Sequence, residues 1–186
     1  MLRAMKERSD GDLMMAIAKG DRKAFTELFD RHGQLVLGYA RRLLSDSSLA
    51  EDASQETWIR VVRASARYEE KMKFRSWLLR IVRNCSLDIL ENRKSFHQSL
   101  DNNDAAEEFS GFEAEKLNDE RLAEIKAAID RLPDAQRVVI TIWIAEESSY
   151  EQMAQDLKTS VSAIKSLLFR AKRNLEIILR GGQSES

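Results

Sequence analysis

Ser149-Tyr150-Glu151-Gln152-Met153-Ala154-Gln155-Asp156-Leu157-Lys158-Thr159-Ser160-Val161-Ser162-Ala163-Ile164-Lys165-Ser166-Leu167-Leu168-Phe169-Arg170-Ala171-Lys172-Arg173 holds two helix starts separated by the break Lys158-Thr159-Ser160. Ser149 with Gln152 has the spacing of a capping box, in which a hydroxyl and a side chain three residues on satisfy the first free amides. A short helix, a tight break and a long helix are the parts of a helix-turn-helix, whose second helix can lie in a DNA major groove. Two neighbouring helices of an ordinary bundle share that spacing. On a wheel of about 100° per residue, Val161, Ile164, Leu168, Ala171, Leu175 and Ile178 fall on one side of the second helix. Ser162, Lys165, Ser166, Phe169, Arg170 and Arg173 fall on the other. The second set suits duplex DNA: cations for phosphates and base edges, small serines for close approach. Phe169 is the odd member, an aromatic among cations.

Working outward, the preceding segments are helical as well. Expected helices run from Glu113 to Arg131 and from Pro133 to about Ala145, with the proline in a first turn where its missing N–H costs nothing. Before them, residues 95–112 are polar and acidic without a sustained period, and read as a linker of about 18 residues. Residues 1–94 form another helical block. Ser9 starts a short helix that Gly20 can end, and Asp21 can cap the next, which carries Phe25, Leu28, Phe29, Leu35, Val36, Tyr39, Leu43 and Leu44. Ser48-Leu49-Ala50-Glu51 has capping-box spacing for a third helix, and Phe74 to about Asn92 reads as a fourth. The fold expected is all-α: two small helical domains, 1–94 and 113–186, joined by an acidic linker, the second ending in the helix-turn-helix.

Charge follows the same division. The chain of 186 residues has a net charge of −1, which alone says little about a polyanionic partner. Residues 57–94 hold ten Lys and Arg against four Asp and Glu, and residues 158–186 hold six against two. Between them residues 95–120 hold one against eight. Two basic surfaces flanking an acidic connector fit contact with polyanion at two places. A solvated helix face would give any one such block.

Inside the first basic block, residues 67–84 interleave cations with aromatics. That mixture suits single-stranded nucleic acid, where cations track phosphates, rings stack on unpaired bases and an amide reads a base edge. Arg67 and Tyr68 precede the fourth helix, and Tyr68 is the stacking candidate. Lys73, Arg80, Arg83 and Asn84 share the flank opposite Val82, whereas Trp77 falls within the apolar face with Phe74, Leu78, Ile81, Val82, Cys85 and Ile89 and reads as core. On the third helix Asp52, Gln55, Glu56, Ile59 and Arg63 make a polar stripe with one apolar residue inside it. Such a stripe is either solvated or docks on a partner helix.

Several classes are excluded. One cysteine, Cys85, cannot form an internal disulfide, and with His32 and His97 alone a structural zinc site lacks ligands. No cofactor is expected, and no nucleophile–base pair, phosphate-cradling glycine loop or metal spacing points to an enzyme. No run of about 18 uninterrupted apolar residues predicts a membrane span, and Met1 to Glu7 lacks the apolar core of a signal peptide, so a cytoplasmic location is expected.

Together these segments carry a family resemblance. Leu49-Ala50-Glu51-Asp52-Ala53-Ser54-Gln55-Glu56-Thr57-Trp58-Ile59-Arg60-Val61-Val62-Arg63, with Phe74-Arg75-Ser76-Trp77-Leu78-Leu79-Arg80-Ile81-Val82-Arg83-Asn84 and Asp88, resembles region 2 of the extracytoplasmic-function sigma factors of the sigma-70 family. Leu132-Pro133-Asp134-Ala135-Gln136-Arg137, Ser149 to Ala154, and Ala163-Ile164-Lys165-Ser166 through Arg173 resemble region 4. Gly20-Asp21-Arg22-Lys23-Ala24-Phe25 is similar to the family's usual opening.

The resemblance implies a dissociable subunit that binds core RNA polymerase and directs promoter recognition, melting and initiation, with an anti-sigma factor as a further partner. It places Asp52, Gln55, Glu56 and Ile59 on the polymerase. Arg67, Tyr68, Lys73, Arg80, Arg83 and Asn84 fall on the single-stranded minus-10 element, and Ser162, Lys165, Ser166, Phe169, Arg170 and Arg173 on the duplex minus-35 element. The residues by themselves also allow a stand-alone operator-binding regulator or a purely protein-binding helical adaptor. Four departures stand out. Lys158 occupies a turn position usually held by glycine, which implies a strained left-handed backbone. Ser162-Ala163 replaces Gly-Thr, Ala53-Ser54 replaces Leu and Val, and Leu167 replaces an arginine, leaving it to face another protein surface.

Overall fold

A computed structural model describes residues 8–70, 72–91, 119–146 and 148–182. Among these the regular structure is helical, with no strand. The chain divides into two compact units, Met1–Arg41 with Asp46–Ser86 and Arg42–Ser45 with Leu87–Ser186. The linker 95–112 and the expected helix start at Glu113 lie outside the described residues.

The first unit opens on α1 (Asp10–Ala18), capped as a full box: the Ser9 hydroxyl accepts from the Asp12 N–H and the Asp12 carboxylate accepts from the Ser9 N–H. Gly20 ends it at φ 84°, where a side chain would be strained, with the Gly20 N–H reaching Ile17 O and the Asp21 N–H reaching Ala16 O. Asp21 then caps α2 (Arg22–Leu44), its carboxylate accepting from the Lys23 and Ala24 amides at 2.9 and 3.2 Å. Three residues, Lys19-Gly20-Asp21, thus turn the chain from one helix into the next. The start of α3 (Ser47–Ala64) differs from the sequence reading. Asp46, not Ser48, is the N-cap, its carboxylate accepting from the Ser48 and Leu49 amides. A carboxylate also suits the positive end of a helix better than a hydroxyl does. A 3-10 turn, Ser65–Arg67, and a loop lead to α4 (Phe74–Glu91).

Packing holds this unit. Leu13, Met14, Leu28, Val36, Val61, Leu78 and Val82 are fully buried, and each such side chain contributes roughly 1.5–3 kcal/mol. Cys85 on α4 is buried with them. Thr57 and Ser86 are buried too, but their hydroxyls donate to Ala53 O and Val82 O one turn back. Ion pairs Arg8–Asp21, Arg8–Glu27 and Arg31–Asp10 tie the chain at the start of α1 to α2 and its cap across accessible surface, where such pairs add little.

The second unit has α5 (Asp119–Asp130), α6 (Asp134–Glu146), α7 (Tyr150–Asp156) and α8 (Val161–Gly182), the last packed on the other three. Pro133 sits just before α6 rather than in its first turn, its carbonyl accepting from the Arg137 N–H at 2.9 Å. Arg137 is buried, and its guanidinium donates to Leu132 O and to the Asp134 carboxylate, closing the joint between α5 and α6. Ile129, Val138, Ile142, Met153, Ile164, Leu168 and Leu175 form the core.

Candidate nucleic-acid interface

The exposed face of α3 carries the expected stripe. Asp52 and Gln55 are exposed and Glu56 is half-buried, its carboxylate accepting from Arg60 Nε at 2.8 Å. Ile59 is 45% exposed, as is Val62, which sequence reasoning left out. Phe29 of α2 is 44% exposed and packs on Trp58 of α3 with ring centroids 5.1 Å apart. Trp58 itself is buried. An indole of that size fills the space between α2 and α3 and leaves Phe29 outside. Ile59 and Val62 stand one turn apart on that face of α3.

Beyond α3, residues 67–84 build a cluster of rings. Tyr68 is half-buried, edge-on to Trp77 with centroids 5.0 Å apart, and to Phe74 at 6.0 Å. Phe74 in turn meets His32, whose Nε2 lies 3.0 Å from the Asp10 carboxylate. The Tyr68 hydroxyl is buried with no hydrogen-bond partner among the described residues. Burial, with Glu70 and Asp10 nearby, raises the phenol above its ordinary range, so it stays a neutral O–H donor. A groove beside it is lined by Arg60, Arg63, Arg67, Met72 and Trp77 as well as Tyr68. Arg60 is new to this surface, and Arg63, counted with the α3 stripe, turns out to border the groove.

Two residues of α4 depart from expectation. Trp77 is half-buried rather than core, while Arg83 is 1% exposed and does not share the strip with Lys73, Arg80 and Asn84, all exposed. The buried arc of α4 is wider than the apolar pattern implied. Leu79, Ser86, Leu87 and Leu90 are buried along with Phe74, Leu78 and Val82, which extends the arc to roughly 220° and takes in Arg83. Trp77 falls outside that arc, near Asn84.

The helix-turn-helix forms as spaced. The Ser149 hydroxyl accepts from the Gln152 N–H at the start of α7, and Ser160 Oγ accepts from the Ala163 N–H at the start of α8. Between them Lys158 adopts φ 53°, with its N–H on Gln155 O and the Thr159 N–H on Ala154 O. This is the hydrogen-bond pattern of a glycine-ended helix made with a lysine. On α8, Ser162 and Arg173 are exposed, and Lys165, Phe169 and Arg170 are half-buried. Ser166 departs from the expected face at 2% exposed; Arg170 folds back along it, Nε donating to Ser166 O at 3.4 Å. Leu167 is buried in the second unit rather than presented outward. Among the described residues no cluster of His, Cys, Asp or Glu could hold a metal ion, and no helix is long and apolar enough to cross a membrane.

Comparison with known proteins matches both units. Residues 28–96 match the family described as Sigma-70 region 2, and residues 122–175 match Sigma-70, region 4. The chain is 30% identical over 173 residues to ECF RNA polymerase sigma factor SigM of Mycobacterium tuberculosis, covering 93% of this chain and 86% of that one. The chain is an extracytoplasmic-function sigma factor of the sigma-70 family. This sigma factor is also 28% identical to the RNA polymerase sigma-H factor of Pseudomonas aeruginosa, over 95% of its own length and 96% of the relative's. Among solved structures it is similar to the sigma factor RpoE of Bartonella quintana in complex with the anti-sigma factor NepR, at 25% identity and a TM-score of 0.54, covering 85% and 98% of the two chains.

Proposed function

We propose that this sigma factor meets core RNA polymerase through α3, with Asp52, Gln55, Glu56 and Ile59 at the contact and Phe29 and Val62 beside it. The groove at Tyr68 takes the unpaired minus-10 strand, with Arg67, Lys73, Arg80 and Asn84 as contacts and Arg60 and Arg63 added to them. The outer arc of α8 reads the minus-35 duplex through Ser162, Lys165, Phe169, Arg170 and Arg173. Ser166 and Arg83 act from within the fold, not on DNA.

The observation that carries this reading is the Tyr68 site: a ring beside Trp77, a hydroxyl with an unused hydrogen bond, and arginines along the groove. Extruding a base costs a few kcal/mol. Stacking on an aromatic side chain returns about 1–3 kcal/mol per base, and Arg60, Arg63 and Arg67 along the groove can hold the strand's phosphates. We assign no catalytic group to this chain, because strand capture needs binding energy alone. Its place of action is the cytoplasm, where promoter DNA and polymerase are, and an anti-sigma factor is its further partner.

Runoff transcription with core polymerase on fragmented genomic DNA of the source organism tests this directly. Transcripts that start at discrete sites and depend on the sigma factor are expected. Tight operator binding by the protein alone, with no effect on polymerase, would instead indicate a stand-alone regulator. On a promoter so mapped, Asn84→Ala and Tyr68→Ala should impair strand opening more than duplex docking, and Lys165→Ala and Arg170→Ala the reverse. Equal effects of all four on duplex binding would overturn that division.

A further inference from the structure

Lys165, assigned above to the minus-35 duplex, does not project freely from α8. Its ammonium lies over the ring of Tyr150, with Nζ 5.6 Å from the centroid. Tyr150 is the first residue of α7, fixed there by the Ser149 cap and by the packing of α7 on α8. Its ring is half-buried. A carboxylate stands next to it: Glu151 is held below its ordinary range, first by its own backbone N–H, then by the Ser149 hydroxyl, and to a smaller extent by Lys165. The first turn of α7 therefore offers the lysine an aromatic face and a nearby negative charge.

From this geometry we infer that Tyr150 is a positioning residue for minus-35 recognition, holding the Lys165 ammonium where it meets the duplex. A lysine side chain carries rotamer freedom that must be given up on binding a phosphate or base edge. A ring that already restricts the ammonium removes part of that loss before DNA arrives. The ring attracts the cation through its quadrupole, which leaves the ammonium protons able to donate to an incoming oxygen. Tyr150 needs no DNA contact of its own for this, and its hydroxyl is dispensable. On α8 the wheel sets Lys165 about 60° from Ser162, on the edge of the exposed arc nearest α7. A recognition-helix cation at that edge is the one the first helix can reach.

The inference rests on the assignment of Lys165 to the duplex, and a double-mutant cycle separates the two. The probe is a labelled duplex spanning the minus-35 region of a promoter mapped by runoff transcription, titrated with polymerase carrying the full-length sigma factor. Tyr150→Leu should weaken binding about two- to fivefold, the size of an exposed cation–π contact, and Tyr150→Phe should leave it unchanged. In a Lys165→Ala background Tyr150→Leu should have no further effect. An undiminished Tyr150→Leu effect in that background would mark a purely structural role and overturn the inference, as would Tyr150→Phe behaving like Tyr150→Leu. If Lys165→Ala alone leaves affinity intact, the duplex assignment of Lys165 fails and the positioning role falls with it.

Discussion

Lys158 shows what a single backbone angle demands. At φ 53° its Cβ crowds the following carbonyl, an arrangement glycine adopts freely. The helix-turn-helix keeps the lysine because the Thr159 and Lys158 amides still find Ala154 O and Gln155 O, so the turn is satisfied in hydrogen bonds while strained in torsion. Lys158→Gly should raise the melting midpoint by about 2–4 °C, with minus-35 affinity unchanged. Differential scanning calorimetry and the duplex titration check the two halves; Lys158→Ala, which also loses the ion pair to Glu91 but keeps the Cβ, is the reference, and a Lys158→Gly midpoint no higher than that one would mean the strain is absent. Gly20 is the internal control, since the same turn there uses glycine at φ 84°.

At the scale of elements, α3 is a helix with one side committed to the core and the other left with apolar side chains. Ala50, Ala53, Trp58 and Val61 are buried, while Ile59 and Val62 stand exposed among Asp52, Gln55 and Arg63. Ile59→Asp and Phe29→Ser should each weaken core-polymerase binding about tenfold or more, as central apolar contacts do, without lowering the melting midpoint by more than a few degrees. Fluorescence titration against core polymerase, beside a melt of the free protein, decides it. Unchanged affinity would return the face to solvent. Much of this was legible beforehand: helix order, the helix-turn-helix, the α3 stripe and the strain at Lys158 all follow from periodicity, turn residues and the family resemblance. The burial of Arg83 and Ser166 and the half-exposure of Trp77 did not, for one shared reason. A helical wheel gives the direction of a side chain, whereas burial depends on how wide an arc the neighbours cover. The ring cluster at Tyr68 likewise joins residues from α2, the loop and α4, and no local pattern encodes that meeting.

For the whole molecule, acid and alkali should act through different groups. Asp21 is held below the ordinary carboxylate range by the Ala24 and Lys23 amides and by Arg8, and Glu27 first by Arg8 and then by Arg31. Groups depressed in the folded state stabilise it above their unfolded value, and that contribution is lost as pH falls through the folded value. Tyr68 is raised, so its contribution is complete below about pH 10 and is lost as pH climbs beyond. Stability should therefore be flat near neutrality and fall on both sides. Asp21→Asn should flatten the acid limb while keeping the cap, and Tyr68→Phe should flatten the alkaline one. Urea titrations from about pH 3 to 11 read both limbs; unchanged limbs in the variants would assign the titration elsewhere.

One thiol in the whole chain, Cys85, sits inside the helix that carries Arg80 and Asn84. Because it is shut away from solvent, a maleimide dye meets no competing nucleophile of its own kind on the folded surface. A cysteine introduced on α3 or α8 can thus be labelled selectively in the native sequence background. Slow modification of Cys85 itself then becomes a clock for how often α4 lifts from its neighbours.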